Sequence, residues 1–193
     1  PGVKMPKIAI IGTTTWGITL GAVLTEKGLK VRLWARTEQE ATELKKVIPY
    51  KTLLSDTTFP HQLSITSSLS EALADVDAII LAVPAQTMRH NIRLVAGYLK
   101  QSMLVVSAAK GLEIDTGKRM SQVIGDEINP RFHSNICVLS GPNLSQEILR
   151  HLPAASVVAA EDEAVARRAQ KLLTTPDFCV YTNTDVIGVE LGG

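Results

Sequence analysis

The chain has 193 residues, 45% of them hydrophobic, which is enough apolar material for one buried core and the beginning of a second. Its 20 basic and 19 acidic residues are spread along the chain and leave a net charge of +1, so there is no basic excess for a nucleic-acid groove or a membrane patch. No apolar run approaches the roughly 18 residues of a membrane span, and the chain enters its first strand without an apolar leader, which reads as a cytoplasmic protein.

In chain order, apolar runs alternate with amphipathic stretches, the pattern of strand–helix–strand units in a parallel sheet covered on both faces. The pattern predicts a strand over 7–11 and a helix over 15–27, with Gly28 just past its end. A second strand over 30–34, a polar helix over 38–46, a short strand over 63–65 and a short helix over 70–73 follow. The uninterrupted apolar run "AIILAVP" (78–84) predicts a central strand, with Pro84 opening a helix that reaches Leu99. "SMLVVSAAKGLE" supplies a fifth strand ending in a loop at Ala109-Lys110-Gly111, and further strands fit 135–140, 154–160 and 177–181. Helices fit 117–128, 144–149 and 164–173. The expectation is a Rossmann-like, doubly wound α/β fold: a mostly parallel sheet with helices on both faces over residues 1–182. Residues 183–193 read as the start of a further, helical domain. Val186, Ile187, Val189 and Leu191 of that segment form an apolar face, expected to leave an exposed patch or an unformed tail. Cys137 and Cys179 both fall in strand-like runs and read as buried, reduced thiols.

The stretch "GTTTWG" (12–17) follows the first strand and opens the first helix. It matches the dinucleotide fingerprint G-x-G-x-x-G at the first and third glycines, Gly12 and Gly17, while Thr14 stands at the second. The first glycine permits the tight turn, the second lets a pyrophosphate approach bare backbone, and the third lets helix and strand pack closely. A side chain at 14 is therefore expected to intrude on the phosphate, and removing it to tighten binding. Against this, Thr13, Thr14 and Thr15 bring three hydroxyls to a helix N-terminus that already favours an anion. The other reading of the turn is a plain strand–helix corner whose threonines cap the helix. The second strand ends Trp34-Ala35-Arg36-Thr37, with no carboxylate before Glu38. An arginine there suits a 2′-phosphate, so Arg36 points to NADP (as NADPH) rather than NAD. His61, His90, His133 and His151 show no metal-ligand spacing, and no metal is expected.

With "LWAR", "AVPA" (82–85), "AAKGLE" (108–113), "LSGPNLSQE" (139–147) and "VYTNTDVIGVELGG" (180–193) added, the whole chain resembles the bacterial NAD(P)-dependent glycerol-3-phosphate dehydrogenases. The resemblance implies a two-domain oxidoreductase for glycerophospholipid precursor synthesis, of which this chain matches the cofactor domain. The implied reaction is hydride transfer between NAD(P)H and dihydroxyacetone phosphate, giving sn-glycerol 3-phosphate. It also implies that Thr15, Trp16, Arg36 and Ser145 contact cofactor, together with the glycine turn Gly12, Thr14 and Gly17. Lys110 is implied to touch cofactor and substrate and to act in catalysis, and Gly141 and Asn143 to contact substrate. A second, proton-carrying lysine is implied three residues beyond Gly193, so the chain alone is expected not to turn over. A homodimer is the expected assembly. The chain departs from the family pattern at Thr14, at Ala85 and at "YKTLLSD" (50–56), where an aromatic contact is in doubt at Leu53. These departures keep two other readings open, a non-catalytic nucleotide-binding paralogue and a neighbouring Rossmann reductase with another substrate.

Overall fold

The computed structural model describes residues 5–47 and 63–193, so Leu53 and its segment lie outside the described residues. Strands β1 (Lys7–Ile11), β2 (Lys30–Trp34), β3 (Leu63–Thr66), β4 (Ala78–Leu81), β5 (Leu104–Ser107), β6 (Ile136–Ser140), β7 (Ala154–Ala159) and β8 (Phe178–Asn183) form one sheet. Its order is β3-β2-β1-β4-β5-β6-β7-β8, parallel at every pairing except the antiparallel contact of β6 with β7. The order reverses beside β1, whose two neighbours are β2 and β4.

Alternation along each strand builds two cores. Ile8 and Ile10 of β1 face one side, where α1 (Thr15–Glu26), α2 (Glu38–Val47), α6 (Ser145–Leu149) and α7 (Glu163–Leu173) pack. Ala9 and Ile11 face the other side, covered by α3 (Leu69–Ala72), α4 (Met88–Val95) and α5 (Met120–Glu127). Every residue of β4 is buried, as its unbroken apolar run predicts for a strand covered on both faces. At the far end of α1, Gly28 takes φ +90, and the Lys27 ammonium donates to the carbonyls of Lys171, Leu172 and Thr174 at 2.6, 3.0 and 2.6 Å. A single lysine thus satisfies the last carbonyls of α7.

Three expectations are revised. The helix from Pro84 to Leu99 is divided: a 3-10 turn at Ala85–Thr87, then α4, then a second 3-10 turn at Ala96–Tyr98 that contains Gly97. The helix over 117–128 begins only at Met120, because Gly117 sits at φ +67 in a turn closed by the Leu112–Arg119 bridge. Of the two thiols only Cys137 is buried, where desolvation pushes its pKa up to about 12. Cys179 is exposed, because β8 is the sheet edge and alternates Phe178 and Val180 inward with Cys179 and Tyr181 outward.

The segment after β8 is formed and docked. Helix α8 (Val186–Leu191) is capped by the Asp185 carboxylate on the Gly188 N–H at 2.8 Å and packs on β6 and β7. Glu190 fastens it to the start of α5, accepting from Arg119 Nη1 at 2.5 Å, Ser121 N–H at 2.8 Å and Ser121 Oγ at 2.6 Å. The expected unformed tail is therefore not what the structure has, although Ile187 and Leu191 do remain exposed.

Candidate active site

The turn between β1 and α1 shows why two of its glycines are kept. Gly12 has φ +115, and a Cβ there would stand 2.4 Å from the Ala82 carbonyl oxygen. A Cβ on Gly17 would stand 2.3 Å from the Gly12 carbonyl oxygen. Both positions exclude a side chain, one through conformation and both through contact. Thr14 is different, since its φ of −65° and ψ of 159° suit any residue. Its hydroxyl donates to the Ala82 carbonyl at 2.8 Å and accepts from the Gly17 N–H at 3.1 Å. The side chain expected to obstruct a phosphate is instead folded back as the N-cap of α1. The next two N–H groups, of Thr15 and Trp16, lie in the first helical turn, where no intrahelical acceptor exists.

Beside this turn, at the carboxyl ends of β1, β4, β5 and β6, lies a cavity of about 380 Å³. That is where open α/β sheets bind ligands, at the point where strand order reverses. Thr14, Trp16, Lys110, Asn143 and Ser145 line it, with Ala82–Pro84 forming the wall contributed by the β4 extension. Five of the sequence-predicted site residues therefore meet in one place, over the close contact of Gly12 and Gly17 with Ala82. Trp16 is braced edge-on against Phe178, with ring centroids 6.3 Å apart. Gly141 joins them through its carbonyl, which accepts from Lys110 Nζ at 2.7 Å. Asn143 Nδ2 donates to Ser156 Oγ at 2.6 Å, leaving Oδ1 buried without a partner. An orphaned acceptor on a cavity wall is suited to a ligand hydroxyl.

Thr15 is exposed at the head of α1 and is absent from the cavity lining. Arg36 lies apart from the cavity, just past β2, with its backbone N–H donating to Glu40 Oε2 at 2.8 Å. The other Glu40 oxygen accepts from the Thr13 hydroxyl, so this carboxylate joins the loop after β2 to the glycine turn.

The loop that carries Lys110 is anchored from α4 and from the turn before it. Arg89 grips Glu113 through Nε at 2.8 Å and Nη2 at 2.7 Å, and also reaches Asp126 at 3.0 Å and Glu127 at 2.5 Å. Gln86 adds a bond to the Leu112 carbonyl at 2.8 Å and one from the Ile114 N–H at 3.0 Å. The Arg89 guanidinium, with the Thr116 hydroxyl, holds the Glu113 carboxyl down at about 2, and Arg89 itself is raised. Asp126 is lowered by Lys118 and then Arg89, Glu127 by Arg93 and then Arg89.

Sequence reasoning missed Ser156, Glu40 and the Arg89–Glu113 pair. Ser156 carries no local signal, because it reaches Asn143 from a strand 13 residues away. Glu40 had one available: it stands four residues after Arg36 on a helix that starts at the end of β2.

A family model described as the N-terminus of NAD-dependent glycerol-3-phosphate dehydrogenase matches residues 7–166. A glycerol-3-phosphate dehydrogenase [NAD(P)+] of Dehalococcoides mccartyi is 60% identical over 190 residues, covering 98% of this chain and 53% of that protein. One from Corynebacterium diphtheriae is 43% identical over 187 residues, covering 97% of this chain and 56% of that protein. The crystal structure of glycerol-3-phosphate dehydrogenase from Coxiella burnetii superposes with a TM-score of 0.86 at 29% identity, covering 98% of this chain and 57% of that one. The chain thus spans about half the length of the relatives it matches. With its Rossmann-like sheet, its glycine turn and the match along most of its length, the chain belongs to the NAD-dependent glycerol-3-phosphate dehydrogenase family.

Proposed function

We propose that the whole protein reversibly reduces dihydroxyacetone phosphate to sn-glycerol 3-phosphate, with NADPH preferred over NADH. The single observation that carries this reading is the cavity at the strand ends, where Lys110, Gly141 and Asn143 converge beside the glycine turn. The residues present fit a dinucleotide. The side-chain-free faces of Gly12 and Gly17 keep the turn tight, and the Thr15 and Trp16 N–H groups are available to a pyrophosphate. The nicotinamide supplies the hydride chemistry when bound.

The protein's own groups supply orientation and charge. Lys110 keeps one proton on the Gly141 carbonyl and has two more to offer a ketone oxygen as it becomes an alkoxide. Asn143, held by Ser156, turns its free Oδ1 to a substrate hydroxyl. Arg36 is the group for a 2′-phosphate, Ser145 lines the cavity, and Thr15 serves the cofactor from the exposed head of α1. A lysine beyond Gly193 donates the proton, in a helical domain that begins with α8. The protein works in the cytoplasm, as a homodimer.

The test is turnover by the whole protein. NADPH oxidation should depend on dihydroxyacetone phosphate, and Lys110→Ala should lower kcat/KM at least about 100-fold with an unchanged circular dichroism spectrum. Near-normal turnover in the variant would remove Lys110 from the active site. Cofactor binding with no turnover on this substrate would favour a non-catalytic paralogue or a reductase with another substrate.

A further inference from the structure

We propose that Glu40 sets the balance between the two nicotinamide cofactors, by holding a carboxylate where the adenosine ribose binds. The inference rests on the cofactor reading above. Glu40 lies in the first turn of α2, and its own N–H donates to the Thr37 hydroxyl at 3.1 Å. One of its oxygens accepts from the Thr13 hydroxyl in the glycine turn, and the other from the Arg36 N–H at 2.8 Å. The carboxylate therefore spans the gap between the ends of β1 and β2. In a sheet of this order the pyrophosphate rests on the first turn and the adenosine ribose lies at the end of the second strand. Glu40 stands between those two places.

Both donors to Glu40 are neutral. Among the described residues no lysine or arginine pairs with it, and among those same residues the Arg36 guanidinium has no partner. Its charge is thus fixed in position without being cancelled. A ribose 2′-hydroxyl can donate to such a carboxylate, whereas a 2′-phosphate meets it as a like charge. Four residues earlier in the chain, Arg36 acts in the opposite sense. The adenosine end carries one residue for each cofactor: Arg36 attracts the phosphate of NADP, and Glu40 disfavours it.

The experiment is calorimetric titration of the 193-residue chain with NADP⁺ and with NAD⁺. Glu40→Gln keeps the size and an acceptor oxygen but removes the charge, and the NADP⁺:NAD⁺ affinity ratio should rise roughly tenfold. Glu40→Asp keeps the charge on a shorter arm, and its ratio should stay within about twofold of wild type. An unchanged or lower ratio in Glu40→Gln overturns the proposal. So does a rise in Glu40→Asp equal to that in Glu40→Gln, since the tether rather than the charge would then govern selectivity. If the wild-type chain binds neither cofactor, the cofactor reading itself falls and this inference falls with it. Circular dichroism on each variant separates loss of fold from loss of binding.

Discussion

Thr14 shows how a single residue can be misjudged from its neighbours in sequence. Its position in the fingerprint casts it as an obstruction, yet its hydroxyl both caps α1 and holds the Ala82 carbonyl. Thr14→Val, which keeps the shape and loses both bonds, should cost about 1–2 kcal/mol of stability. Thr14→Ser should stay within about 0.5 kcal/mol of wild type, both measured by thermal or urea unfolding. Equal stability of the valine and serine variants would deny the hydroxyl its structural role. Thr14→Gly gives up that cap and has little obstruction to remove, because the side chain is already folded back. The tightening of phosphate binding expected from sequence is therefore reduced for that variant. The tasks of Gly12 and Gly17 were legible, because backbone geometry follows from spacing along one turn. The partners of Thr14, Asn143 and Glu40 were not, because hydroxyl, amide and carboxylate groups bond across 68, 13 and 27 residues of chain.

Between elements, the informative unit is the pairing of α4 with the loop that follows β5. The strings "AVPA" and "AAKGLE" are separate motifs in sequence, yet Gln86 and Arg89 fasten the second to the helix that follows the first. Glu113 is mostly buried in this contact, and its carboxyl is lowered from the ordinary 4.5 to about 2 by Arg89 and then Thr116. Unfolding restores the ordinary value, so between these limits the unfolded chain binds more protons than the folded one. The stabilisation is complete above about pH 4.5 and is lost as pH falls through about 2. Glu113→Gln should accordingly lower Tm at pH 7, and the gap to wild type should narrow below pH 4.5 and close near pH 2. A pH-independent gap would mean that packing rather than charge holds the loop. Strand and helix order was legible because periodicity is local. The breaks at Gly97 and Gly117 were less so, because a glycine inside an amphipathic stretch does not by itself show which turn it will make.

At the scale of the molecule, a doubly wound sheet was expected, but its reversal at β6–β7 was not, since alternation of apolar runs carries no strand direction. The docking of α8 was hidden for a related reason. Its polar anchor, Glu190, finds Arg119 and Ser121 some 70 residues earlier, and only the apolar face was visible in sequence. Helix α1 has the opposite character. Eight of its twelve residues are buried, Thr14 fixes its start, and Lys27 just past its end grips the last carbonyls of α7. Neither end is free to fray, so the glycine turn is mounted on a beam clamped at both ends. In a hydrogen-exchange experiment on the apo chain, amides at 20–24 should therefore exchange only through global unfolding, with the highest protection in the molecule. Those of α8, with no buried residue, should open locally and exchange orders of magnitude sooner. A bound dinucleotide would then slow exchange in the loop around Lys110 while leaving the turn's supporting helix already at its ceiling. Local opening of α1 at a rate like that of α8 would show the beam to be unclamped. If the turn holds a pyrophosphate as proposed, a rigid mount of this kind makes the entropy of ordering it a cost of folding and not of binding, leaving more of each contact's energy for affinity.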